Sequence, residues 1–394
     1  MTFSYRPTWA EVDLDAICEN TQIFKARLQP QTKLMAVVKA DGYGHGAVEI
    51  AREALDSGAD CLGVAFLDEA LVLRNAQINA PILVLGYTTG ESVGTAIEND
   101  ITLTVFTEDV IDSIIRETNV RKKNASVHLK VDTGMSRIGV TSPSSAVHLA
   151  KKITNSTYVS LEGIFTHFSS GDTKDPSFTT RQFEAFQTTV HTVSDNGISI
   201  PVKHCCNSAA TIQYPHMHLD MVRVGISLYG LLPSPEVAPV PLKEALSLKT
   251  KIAHVKETAP GSFISYGCTH KTKTKSSIAT LPIGYADGFS RLLSNGAEVF
   301  IHNTRAPVAG RVCMDQTMID ITHIPAASIG DTVTLFGPES VSVNEVSYHM
   351  GTINYEVVCL IGKRVPRVYL KSGRAIKRTG ILPDNRICSQ PSPG

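Results

Sequence analysis

Side chains able to do chemistry collect where short apolar runs end. Lys39 closes LMAVVK and is followed by the glycine-spaced DGYGHG. Lys130 and Asp132 end VHLKVD, and Arg137 follows in TGMSRIG. His167 ends GIFTH, Asn207 and Ser208 follow VKHCC, and Arg223 and Gly225 end MVRVG. Lysines, arginines, a histidine and a hydroxyl gathered at such ends describe a site that binds an anion and moves protons. Lys39 is the sharpest case. A lysine emerging from an apolar strand is partly desolvated, which lowers its pKa and leaves the neutral amine that attacks an aldehyde cofactor. On chain position alone, a strand-end lysine reaching to solvent is the simpler reading. The phosphate of such a cofactor needs oriented N–H donors. Ser208 precedes the helical stretch AATIQY, and the amides of Gly225 and Ile226 lie at the next strand end. Ser208 serves equally as a plain N-cap.

The elements that must hold these residues are legible. Apolar runs at 34–39, 61–66, 82–86, 103–106, 127–132, 161–167, 202–206 and 221–224 lack strict alternation, as in parallel strands buried on both faces. Between the first two, Ala47, Ile50, Ala51, Ala54 and Leu55 mark one helical face that Gly58 closes. Ser142-Pro143 opens another helix, and a third begins at Thr107. About eight strand–helix units in roughly 200 residues is the arithmetic of a (β/α)8 barrel, with a doubly wound open sheet as the alternative. In a barrel the strand ends form the active-site mouth, and the loops after strands seven and eight recur as its phosphate site.

Beyond the proline-rich PSPEVAPVPL the texture changes to strand-like pieces separated by Gly, Pro and Asn turns. The expected organisation is an α/β barrel over 1–240, a mainly-β domain over 241–384 and a tail over 385–394. Thirty-seven Lys+Arg balance 37 Asp+Glu, which argues against a nucleic-acid binder. The apolar runs are strand-sized, so no membrane span is expected. The N-terminus lacks a secretory apolar core, and a cytoplasmic location is expected. Eight cysteines scattered over the length, including Cys205, Cys206, Cys313 and Cys388, read as reduced thiols, and no metal site is expected. His216-Met217-His218 is read as packing or surface.

Together these segments resemble alanine racemase, the pyridoxal 5'-phosphate family that interconverts L- and D-alanine. The likeness runs from RPTWAEVDLDAI to YEVVCLIGKRVPRVY. It is carried by AVVKADGYGHG, LKVDTGMSRIG, THFSSGD, HCCNSAAT, MVRVGISLYG, ISYGCTH, LPIGYADGFSR, AGRVCMDQTMID and INYEVV, in order across both domains. It implies that Lys39 carries the cofactor and that Tyr43, Ser208, Gly225, Ile226 and Tyr355 surround its phosphate. Arg223 would face the pyridine nitrogen and His167 would orient Arg223. A guanidinium hardly ever deprotonates, so it leaves no proton on the ring and weakens the electron sink. Arg137 would contact the cofactor and the substrate carboxylate, and the lysine matching Lys130 is often carbamylated.

Racemisation needs proton-transfer groups on opposite faces of one carbon. The resemblance implies Lys39 on one face and Tyr266 on the other. It further implies an obligate homodimer in which one chain's Tyr266 and Met314 backbone reach the other's barrel. Tyr285 would line the entrance. Departures are slight: Gly42 stands where relatives often carry Ala, and is expected to add flexibility, and Val224 replaces a common proline. The expected activity is supply of D-alanine, a peptidoglycan precursor, with a broader racemase acting on residues such as serine as the alternative. A decarboxylase on this scaffold would favour an acid where Arg223 stands, and a non-catalytic cofactor carrier would need neither the second domain nor Tyr266.

Overall fold

A computed structural model of the protein describes residues 5–381, so the expected tail and Cys388 lie outside the described residues. The chain forms two compact units, 16–243 and a second built from 5–15 together with 244–381. The first strand, β1 (Thr8–Asp13), belongs to the second unit, which departs from the expected barrel over 1–240.

The unit 16–243 holds eight parallel strands: β2 (Lys33–Val37), β3 (Cys61–Val64), β4 (Ile82–Val84), β5 (Thr102–Val105), β6 (Ala125–Lys130), β7 (Val159–Phe165), β8 (Val202–His204) and β9 (Met221–Val224). Each overlaps one apolar run of the sequence. Their spatial order is β8-β7-β6-β5-β4-β3-β2-β9. The sheet closes where Asp220 N donates to Lys203 O and Arg223 N to Cys206 O, both at 3.1 Å. Closure makes this a barrel and removes the open-sheet alternative. Ala36, Leu62, Val64, Ile82 and Val84 are fully buried, which explains why the strands do not alternate.

The helices are α1 (Leu14–Ala26), α3 (Ala47–Asp56), α4 (Leu67–Asn75), α5 (Val93–Glu98), α6 (Glu108–Arg121), α7 (Pro143–Thr154), α8 (Ser177–Asp195) and α9 (Ser208–Gln213), with the label α2 kept for a single left-handed turn at Lys39–Tyr43. α3 buries Ala47, Ile50, Ala51 and Ala54, as its spacing requires, and Gly58 beyond its end has φ +109°. At α7, Ser142 accepts from Ser145 N at 3.1 Å with Pro143 in the first turn.

The second unit is mainly β. Its strands are β10 (Leu246–Lys251), β11 (His254–Thr258), β12 (Phe263–Ile264), β13 (His270–Lys271), β14 (Ser276–Leu281), β15 (Glu298–Ile301), β16 (Thr304–Pro307), β17 (Thr317–Asp320), β18 (Thr332–Phe336), β19 (Arg367–Lys371) and β20 (Arg374–Thr379). A seven-stranded sheet runs β16-β15-β18-β10-β1-β19-β20, beside a three-stranded sheet β11-β14-β17 and the hairpin β12-β13. In its centre β1 pairs antiparallel with β10, Ala10 opposite Leu248, and parallel with β19, Val12 opposite Tyr369. Two short helices, α10 (Val343–Met350) and α11 (Asn354–Cys359), were not foreseen from the sequence.

Asp287 organises this unit. Its carboxylate is fully buried and accepts from Arg6 Nη1 and Arg364 Nε, both at 2.6 Å, and from Gly284 N at 3.0 Å. Burial raises its pKa, but these bonds outweigh burial and hold it below the usual carboxylate range. Arg364 also pairs with Asp315. Asp287→Ala leaves two arginines facing an uncharged gap, and should cost about 3 kcal/mol. The urea midpoint at pH 7 checks this; an unchanged midpoint would contradict it.

Candidate active site

Lys39 follows β2 after one residue, Val38, at the barrel's C-terminal end. The chain then does something its sequence does not announce: Ala40, Asp41, Gly42 and Tyr43 all have φ between +51° and +61°. A left-handed turn costs roughly 1–2 kcal/mol for each residue carrying a Cβ. Asp41 Oδ1 accepts from Ala47 N at 3.0 Å and Glu69 Oε1 from Ala40 N at 2.7 Å, and both bonds offset that strain. Gly42 is therefore not a flexible spacer, since a Cβ there would lie 3.2 Å from the Ala47 backbone. The turn buries the Tyr43 ring against Tyr229, centroids 4.9 Å apart, and sets Lys39 Nζ 6.0 Å from the Tyr43 ring centre.

Two of the phosphate-cradle candidates, Ser208 and Gly225, meet beside Tyr43. A Cβ on Gly225 would come within 2.5 Å of the Tyr43 hydroxyl, so only glycine fits. Asn207, not Ser208, caps α9: its side chain accepts from Ala210 N at 3.0 Å. Ser208 is thereby released from capping, and its hydroxyl accepts from Gly225 N at 2.8 Å. The amides of Ser208 and Ala209 precede any intrahelical partner, as first-turn amides must. Ile226 follows Gly225 and is fully buried. Hydroxyl, first-turn amides and a close-packed glycine are the donor set an anionic group requires.

Arg223 is buried, and among the described residues none of its bonds goes to a carboxylate. Nη1 donates to His204 Nδ1 at 2.8 Å; Nη2 donates to His167 Nδ1 and Thr166 O at 3.0 Å and to Cys205 O at 3.1 Å. Burial lowers its pKa to about 10, which still leaves a cation at neutral pH. Phe165 lies beneath, its ring 5.4 Å from the guanidinium and 4.5 Å from Lys130 Nζ. Burial, then the charges of Arg223 and Arg137, push the Lys130 amine well below its ordinary value. Asp132 accepts from the amides of Gly134, Ser136 and Arg137 at 2.9, 3.0 and 3.1 Å, which shapes the loop carrying the exposed Arg137. Sequence reasoning missed Phe165 and His204, and it marked Asn207 without assigning it the cap of α9. A signal for His204 existed: it is a polar residue inside VKHCC, the run whose end Asn207 and Ser208 mark.

In the second unit, Tyr266 is 71% exposed on a strained loop. Ser265 before it has φ +66° and ψ −175°, a region almost confined to glycine, and its hydroxyl donates to Arg311 O at 2.6 Å. Tyr285 N donates to Cys313 O at 3.0 Å and Ala286 N to Met314 O at 3.1 Å. Tyr285 and Met314 thus share one pair of loops, with Gly284 so close that a Cβ would meet Cys313 O. Tyr355 lies apart from them in chain, half-buried on α11. Among the described residues no cluster of His, Cys, Asp and Glu could hold a metal ion, and no helix is long and apolar enough to cross a membrane.

Known proteins show the same pattern. The family described as alanine racemase, N-terminal domain, matches residues 12–233, and alanine racemase, C-terminal domain, matches 245–369. The chain belongs to the alanine racemase family. It is 51% identical over 390 residues to alanine racemase 2 of Oceanobacillus iheyensis, covering 98% of this chain and 99% of that one. It is 50% identical to alanine racemase of Methanococcus maripaludis, with 92% and 99% covered. The crystal structure of alanine racemase from Bacillus anthracis with bound L-Ala-P superposes at TM-score 0.91, 41% identity, and 96% and 99% coverage. Histidine racemase from Leuconostoc mesenteroides superposes at TM-score 0.86 and 28% identity, with 94% and 100% covered, so this fold alone does not select the amino acid. Like these relatives, the chain is a racemase, an isomerase.

The barrel's histidines set a pH dependence. Burial, then the charge of Arg223, holds His128 at about 3 and His167 and His204 well below their ordinary value. The unfolded chain protonates all three near pH 6.5, whereas the folded barrel does not. The unfolded state then binds more protons, so stability falls as pH drops through 6.5. His128, held at about 3, alone loses about 1.4 kcal/mol of stabilisation between pH 7.5 and 5.5, and His167 and His204 act in the same direction. Urea midpoints at the two pH values, without cofactor, check this; an equal or higher midpoint at pH 5.5 would contradict it.

Proposed function

We propose that the protein is an alanine racemase that uses pyridoxal 5'-phosphate to interconvert L- and D-alanine. The single observation that carries this reading is the environment of Arg223: a buried cation held by two neutral imidazoles and two carbonyls. An acidic residue at this point would keep a proton on a bound pyridine and favour other cofactor chemistry, decarboxylation included. The residues fit the cofactor. Lys39 supplies its covalent anchor, and Tyr43, Ser208, Gly225, Ile226 and Tyr355 take its phosphate. Arg223, oriented by His167, meets its ring nitrogen. When bound, pyridoxal phosphate draws electrons from the substrate α-carbon and acidifies its proton.

The chain's own groups then divide the work. Lys39, once released, takes or returns the α-proton on one face, and the Tyr266 phenol does so on the other. Arg137 binds the substrate carboxylate, and Lys130, as its carbamate, gives that arginine an anionic partner. Met314 and Tyr285 border the substrate. A homodimer brings the Tyr266 loop of one chain to the barrel of the other. The exposure of Tyr266, Phe263 and Met314, at 71, 57 and 53%, supports that arrangement. The relatives' names support alanine as the substrate, and supply of D-alanine for peptidoglycan is the role proposed.

Purified protein with pyridoxal phosphate should form D-alanine from L-alanine faster than it racemises serine; equal or faster turnover of serine would favour the broader racemase. Tyr266→Phe should slow solvent-deuterium uptake into one enantiomer by about 100-fold or more, and into the other far less. Equal slowing of both would argue against proton transfer on two faces by two different groups.

A further inference from the structure

His128 lies on β6, buried, and the proposed reaction gives it no task. Its Nδ1 is 2.9 Å from His204 Nε2, and His204 Nδ1 is 2.8 Å from Arg223 Nη1. Guanidinium nitrogens only donate, so His204 Nδ1 accepts. Both rings are neutral at pH 7, because burial and the Arg223 charge oppose their protonation. The one N–H of His204 is therefore on Nε2, and it points at His128 Nδ1. His128 accepts it and carries its own N–H on Nε2. The bonds run one way, from Arg223 to His204 to His128.

The backbone is shaped around that ring. Val127 pairs with Leu161, yet His128 pairs with Gly163, so Glu162 bulges out of β7 at this point. A bulge re-aims side chains, and here it sets Gly163 beside the imidazole. A Cβ on Gly163 would lie 2.5 Å from His128 Cε1 and Nδ1, closer than any packed pair tolerates. Phe165, two residues on, stacks on His204 at 4.6 Å and 6°. Bulge, glycine and stacking ring all fix the imidazole pair.

We propose that His128 is a positioning residue: by accepting the Nε2–H of His204 it holds that ring in the tautomer whose Nδ1 lone pair faces Arg223. The other tautomer would set N–H against N–H across 2.8 Å and displace the guanidinium from the ring-nitrogen position. This inference rests on the reading of the barrel end as the pyridoxal-phosphate site.

The test is 15N NMR of the histidine-labelled holoenzyme. His204 should show a pyridine-like Nδ1 and a pyrrole-like Nε2. His128→Leu should exchange or average those two shifts and lower kcat about tenfold, the weight of one buried hydrogen bond, with KM changed much less. His128→Gln, whose carbonyl can accept, should restore both readouts substantially. A pyrrole-like Nδ1 on His204 in the unmutated enzyme overturns the proposal, with no need for a variant that folds. So does His128→Leu with unchanged shifts, whatever its kcat, or with swapped shifts and normal kcat. Alanine turnover is recorded on the same unmutated sample; its absence overturns the proposed function and leaves the tautomer result to stand by itself.

Discussion

The site depends on one costly arrangement, a guanidinium buried without a carboxylate. Taking a cation out of water is expensive unless its donors are satisfied. Here the satisfaction comes from Thr166 O, Cys205 O and the Nδ1 atoms of His167 and His204. All four acceptors are supplied by the C-terminal ends of β7 and β8 or the residues just beyond them. Neutral acceptors leave the full positive charge of Arg223 available to whatever lies beside it, where a carboxylate would cancel it. Burial, and after it that same charge, keeps the surrounding imidazoles unprotonated near neutral pH and lowers the pKa of Lys130.

Barrel closure makes this affordable. β8 and β9 must meet for Arg223 to reach the carbonyls beside it, and the bond from Arg223 N to Cys206 O is itself one of the closing contacts. Two strained stretches lie where the chemistry is proposed: a left-handed turn directly after Lys39 and a glycine-like conformation at Ser265 directly before Tyr266. Each is over-determined by hydrogen bonds from distant residues, Glu69 to the first and Arg311 to the second. Such strain survives only when the surroundings enforce it, and it holds a reactive side chain in place.

Much of this was legible in the residues. The eight barrel runs announced themselves because parallel strands covered on both faces must be apolar throughout, and the reactive side chains stood out at their ends. β1 did not, because TWAEVD is short and buries only Thr8, Ala10 and Val12, and its partners lie more than 200 residues away. Ser208 and Asn207 are both good caps, so adjacency hid which one caps α9. The strained turns were invisible because Ala40, Asp41 and Ser265 are not glycines. His128 and His204 were passed over because a histidine in an apolar strand looks like packing until its acceptor is known.

The most direct measurement concerns the nitrogen that Arg223 is proposed to face. Holoenzyme reconstituted with pyridoxal phosphate labelled with 15N in the ring should give the shift of an unprotonated pyridine near neutral pH, because a guanidinium has no proton to leave there. A pyridinium shift would mean that the buried cation does not govern the cofactor, and would contradict the account at its centre.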